Sequence, residues 1–217
     1  MTAPAITRVK PRLRGVSHQY AFFVSLVSGS VLLAVAPTRR ALAVAAIYGV
    51  SVSALFGASA LYHRVTWSAS RRRWMARLDH SMINVLIAGT YTPFGVLALS
   101  GTRAAVLLAV VWSGALAGIA LHLVWLDVPK WLSAVLYLAL GWVGVAALPQ
   151  MLTQVGWPPT MLLVAGGLLY SAGALVYALR RPDPAPAVFG YHEIFHALVV
   201  VAALTHYVAV AMAVRPG

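Results

Sequence analysis

His192 and His196 stand four positions apart in the stretch Tyr191-His192-Glu193-Ile194-Phe195-His196. On a helix this spacing puts both imidazoles on one face, about 6 Å apart. Joined by a third ring from another helix, they would form a three-ligand zinc site with an open fourth position, the arrangement used in metal-dependent hydrolysis. His63 is the candidate third ligand, at the end of an apolar run that begins near residue 41. Asp79, at the opening of the next apolar run, is the candidate base or hydrogen-bonding partner for a metal-bound water. Ser59 precedes His63 by four residues and shares its helical face, where a hydroxyl can bond water or substrate. Spacing alone leaves a second reading open, in which these are unrelated polar anchors near one interface. The segment His192–His196 also fits the H-E-x-x-H pattern, so an intramembrane protease with Glu193 as general base is a rival. Of the remaining histidines, His18, His80 and His122 are expected to be interfacial or helix-capping. His206, about 15 Å further along the helix than His196, is expected to make a polar contact inside the bundle.

The elements that must position these groups follow from composition. The chain has 217 residues, of which 61% are hydrophobic and 9% charged, with 16 Lys plus Arg against 4 Asp plus Glu and a formal net charge of +12. The pI is near 10.9 and the mean hydropathy is +0.85. Soluble domains carry about a quarter charged residues, and disordered chains are poor in apolar ones, so both classes are excluded. A nucleic-acid binder is disfavoured, because it needs basic stripes on a soluble fold. Without cysteine there is no disulfide, thiol nucleophile or Cys-ligated zinc.

What remains is an all-α, polytopic membrane protein: a basic segment over 1–17, then a seven-helix transmembrane domain over 18–213. The spans are expected near 18–36, 41–63, 78–99, 104–123, 131–148, 159–179 and 191–213, each close to the roughly 20 apolar residues a crossing needs. The first span has the basic start and Ala34-Val35-Ala36 ending of a secretory signal, but it is long for one and is expected to be retained. Gly114, Gly118, Gly166 and Gly167 allow close helix packing.

With the N-terminus cytoplasmic, the inner side carries twelve basic residues: Arg8, Lys10, Arg12, Arg14, Arg64, Arg71, Arg72, Arg73, Arg77, Lys130, Arg180 and Arg181. The outer side carries four, Arg39, Arg40, Arg103 and Arg215. This asymmetry predicts N-terminus in and C-terminus out, in a cell membrane of the bacterial inner-membrane type. It also brings His63, Asp79, His192 and His196 to one membrane depth, at the cytoplasmic ends of three helices.

Three separated stretches resemble the hemolysin III branch of the progestin and adipoQ receptor superfamily, which includes the adiponectin receptors. They are Ser59-Ala60-Leu61-Tyr62-His63, then Leu78-Asp79-His80-Ser81-Met82-Ile83 with Ala88-Gly89-Thr90-Tyr91-Thr92-Pro93-Phe94, and Tyr191–His196. The resemblance covers essentially the whole chain after the first fifteen or so residues. It implies a zinc ion held by His63, His192 and His196, with Asp79 contacting the zinc-bound water and Ser59 nearby. It further implies hydrolysis of an amide bond in a membrane lipid, as in the related alkaline ceramidases, with membrane lipids as partners and Glu193 incidental to the chemistry. The short N-terminal segment departs from the receptors' long cytoplasmic extension. The alternatives are a non-enzymatic membrane-homeostasis or signalling protein with a structural or sensing zinc, and a lytic membrane protein.

Overall fold

The computed structural model describes residues 10–125 and 127–215. Part of the basic N-terminal segment, including Arg8, lies outside them. Among the described residues eight α-helices follow one another: α1 (Val16–Ala34), α2 (Arg39–Arg64), α3 (Ala69–Leu97), α4 (Gly101–Val124), α5 (Lys130–Gly141), α6 (Leu148–Gln154), α7 (Trp157–Leu179) and α8 (Tyr191–Val214). A 3₁₀ turn over Val143–Ala147 joins α5 to α6 into one rod. Among the described residues there is no β-strand, only one isolated bridge between Ala185 and Phe189.

Short connections make sequential helices antiparallel neighbours. The α1–α2 turn closes where the Thr38 hydroxyl accepts the Ala41 N–H at 3.1 Å, capping α2. At the α2–α3 turn, the Trp67 indole N–H donates to the Leu61 carbonyl at 3.0 Å. α1 packs along α2, α2 along α3, α3 along α4, and α7 along α8. The interior is apolar, with Leu32, Tyr48, Phe94, Val111 and Val210 buried, while large apolar side chains such as Phe23, Val110, Leu116, Leu168 and Leu204 face outward. An apolar exterior on long helices is what a lipid solvent selects. Six elements are long and apolar enough to cross a membrane: α1, α2, α4, the α5–α6 rod, α7 and α8. The chain is therefore a multi-pass membrane protein.

Two expected spans differ from what is found. The third, expected over 78–99, starts at Ala69, and α3 is not among the six apolar elements. Its first turns carry Arg71, Arg72, Arg73 and Arg77, which stay helical because arginine is a good helix former whatever its hydropathy. Two of these cations lie over aromatic rings, Arg72 over Tyr62 at 5.0 Å and Arg77 over Trp74 at 4.5 Å. The fifth, expected as one helix over 131–148, is broken after Gly141 and runs on to Gln154. Tyr91 accounts for the break: its hydroxyl donates to the Gly141 carbonyl and accepts the Gly144 N–H at 2.9 Å. Irregular backbone at membrane depth is tolerated where protein groups satisfy it in this way.

The four glycines expected at close contacts all meet partners within the chain. A Cβ at Gly114 would press on Leu140, one at Gly118 on Asn84, one at Gly166 on the His206 ring, and one at Gly167 would contact Trp142. These glycines thus bring α4 against α3 and α5, and α7 against α8 and the residue that follows α5.

Candidate metal centre

α2 ends and α8 begins at the same end of the bundle. His63 occupies the last turn of α2, and His192 and His196 lie on the first two turns of α8. One ligand atom from each of the three falls within 4.8 Å of the others. The Nε2 atoms of His63 and His192 face each other at 3.2 Å. Two nitrogens bound to one tetrahedral cation at about 2.0–2.1 Å lie about 3.3 Å apart, so this spacing suits a shared ion. His196 is 2% exposed and its Nδ1 has no hydrogen-bond partner in the protein. A buried ring nitrogen without a partner is costly unless a ligand meets it. The three imidazoles can hold a metal ion, and their chemistry favours a borderline cation over a hard one.

The carboxylate and hydroxyl expected at the site are there too. Asp79 is buried on α3 with its Oδ2 3.8 Å from His63 Nε2, beyond direct hydrogen-bond distance. Ser59, buried on the same face of α2 as His63, has its Oγ 2.8 Å from His18 Nδ1. Asp79, Ser59, His192 and His196 line the head of a cavity of about 190 Å³. From there the cavity continues between mostly apolar walls, past Ile83, Ile87 and Phe94, to Met151, Leu163 and His206. His206 lies about 15 Å along α8 from His196 at the helical rise.

His18 is not interfacial or capping, as expected, but buried at the centre of the site. Its ring stacks on His196 with centroids 3.8 Å apart and planes inclined by 7°. α1 enters the bundle beside α2, and the Ser59 contact draws the ring inward. His122 departs from the same expectation. It is buried, with Nε2 2.7 Å from the Tyr137 hydroxyl, which donates to the His80 carbonyl at 3.2 Å. A tyrosine on α5 thus ties the middle of α3 to the end of α4. His80 lines the cavity beside Asp79, its ring 5.4 Å from that of His122. His206 does make the interior polar contact expected of it, with Nε2 donating to the Leu163 carbonyl at 3.0 Å.

Glu193 has a structural role on both oxygens. One receives the Arg14 guanidinium, and the other accepts the Gly190 N–H at 2.9 Å, the glutamate half of a capping box at the start of α8. Arg14 belongs to a segment that crosses this end of the bundle: the Arg12 N–H donates to the Ala187 carbonyl at 3.0 Å and the Leu13 N–H to that of Val188 at 3.2 Å. The segment then turns at Gly15, with φ of 78°, directly against His63. A side chain there would meet the His63 Cβ at 2.6 Å, so glycine serves both the left-handed turn and the close approach. No spacing rule links Arg14 to Glu193 or His18 to His196, because these contacts depend on which helices become neighbours.

The family described as Haemolysin-III related matches residues 6–207. The Hemolysin-3 homolog of Bacillus subtilis (strain 168) is 36% identical over 154 residues, covering 71% of this chain and 69% of that protein. The Heptahelical transmembrane protein ADIPOR2 of Oryza sativa subsp. japonica is 38% identical over 149 residues, covering 62% and 65%. The Monocyte to macrophage differentiation factor of Homo sapiens is 26% identical over 217 residues, covering 96% and 88%.

Proposed function

Because the chain belongs to the haemolysin-III related family, we propose that it is a zinc-dependent hydrolase acting on an amide bond of a membrane lipid. The observation that carries the reading is the convergence of His63, His192 and His196, of which His192 and His196 also line a mostly apolar cavity. The rice relative is called heptahelical, and α3 counted beside the six apolar elements supports a reading with seven crossings. In that reading the basic residues favour the N-terminus and the metal centre on the cytoplasmic side.

The three imidazoles would hold the zinc, a borderline cation that nitrogen ligands suit, in an all-nitrogen set with space beside it. Bound there, zinc supplies Lewis acidity and a water of lowered pKa. The protein's own groups do the rest. Asp79, free of any direct bond to His63, takes a proton from water in the cavity and returns it to the leaving amine. Ser59, oriented by His18, presents its hydroxyl to the same space. The apolar walls hold the lipid chain and keep bulk water from the reacting end.

The protease reading loses its general base, since both oxygens of Glu193 are engaged by Arg14 and Gly190. The lytic reading takes its support from the names of the Bacillus relatives. It predicts conductance in liposomes that survives metal removal. The hydrolase reading is tested by metal content and lipid amide turnover in the full chain and in His63→Ala, His192→Ala and His196→Ala. Loss of stoichiometric zinc and of turnover is expected in each. Full zinc in all three variants overturns it.

A further inference from the structure

A second concavity, of about 700 Å³, has His63 in its wall. Lys10 and Arg14 line it from the segment before α1, Arg72 from α3, and Arg180 from the end of α7. Asp183 is the one acid in its wall, and its Oδ1 already accepts the Tyr191 N–H at 3.0 Å. Arg14 spends its Nε on Glu193, which leaves the other guanidinium N–H groups as donors. Neutralisation from within the chain is incomplete, because Asp183 and Glu193 set two negative charges against the four cations Lys10, Arg14, Arg72 and Arg180. Of the 4 acids, Glu193 is committed, Asp79 belongs to the inner cavity, and Asp127 lies in the α4–α5 connection. Burial and the facing charges of Arg64, Arg72 and Arg14 hold the Lys10 pKa below its ordinary value. Cations gathered to satisfy the positive-inside rule need only be exposed, as Arg71 and Arg73 are. Lys10, Arg14, Arg72 and Arg180 instead surround a hollow that ends on a candidate metal ligand.

We propose that this vestibule binds a phosphate monoester beside His63, so that the ligand of the site is a lipid ending in a terminal phosphate or free phosphate. Guanidinium forks match phosphate oxygens in pairs, and an ammonium adds a point charge. The proposal adds a headgroup preference to the hydrolase reading and rests on that reading only for its bearing on turnover.

The test is calorimetric titration of the full chain in phosphatidylcholine nanodiscs. The probes are dihexanoyl phosphatidic acid, dihexanoyl phosphatidylcholine and inorganic phosphate. Saturable binding of the phosphatidic acid is expected, weakened roughly tenfold or more in Lys10→Gln with Arg180→Gln. It should be unchanged in Arg40→Gln with Arg103→Gln, which lie at the opposite end of the bundle. Inorganic phosphate that competes identifies a site for free phosphate as well, and phosphate that does not compete identifies the lipid headgroup as the ligand. Equal affinity for the phosphatidylcholine, or equal loss in both pairs of variants, overturns the proposal. His196→Ala separates the two readings, because it should abolish turnover while leaving phosphatidic acid binding intact.

Discussion

Glu193→Gln tests most directly which part of the H-E-x-x-H segment does chemistry. The substitution removes the charge but keeps a carbonyl oxygen for the Gly190 N–H, so the cap survives and the Arg14 pair weakens. A hydrogen bond to a charged group contributes about 1.5–3 kcal/mol. The Arg14 side chain is 22% exposed and can turn to water, so the loss should fall at the low end, about 1.5 kcal/mol. Glu193→Ala removes the cap too and should cost about 1 kcal/mol more. Denaturant unfolding in detergent micelles measures both, and a double-mutant cycle with Arg14→Gln isolates the coupling. Metal content and lipid turnover of folded Glu193→Gln should match those of the unaltered protein. Turnover abolished with zinc and stability intact would make Glu193 the general base. A coupling energy near zero would refute the ion-pair account.

Tyr91→Phe removes both hydrogen bonds at the α5 break and should destabilise the bundle by about 1–2 kcal/mol in the same assay, on the scale of interhelical bonds in membranes. Gly166→Ala forces a methyl group against the His206 ring, and a cost of about 1–3 kcal/mol is expected from such overpacking, whereas Gly141→Ala, with open space around it, should be near neutral. His18→Phe retains an aromatic ring against His196 but frees Ser59, so zinc content should persist while turnover falls. Zinc added at a hundred times its dissociation constant should stabilise the folded protein by about 2.7 kcal/mol, an increment absent from His192→Ala.

The candidate metal ligands were legible because their geometry is local or topological. His192 and His196 share a face at any helix placement, and charge asymmetry aligns helix ends without knowledge of packing. The same reasoning failed for His18, for which depth was readable but direction was not. It failed again at the start of α3, where a run of arginines has no hydropathic signature yet is helical. The break after Gly141 depends on a tyrosine fifty positions earlier, and only the folded arrangement brings that hydroxyl to the backbone groups it satisfies.

Arg14 and Glu193 are 179 residues apart, and this separation bears on how the protein is made. At roughly 5–20 residues per second, synthesis leaves Arg14 waiting on the order of 10–35 s for its partner. During that interval His63 and Asp79 are already synthesised, without the histidines of α8. The segment before α1 cannot dock, and the nascent site stays uncovered on its synthesis side. Assembly of the centre is thus coupled to insertion of the last helix, and a chain that stalls before α8 lacks two of the three imidazoles of the candidate site.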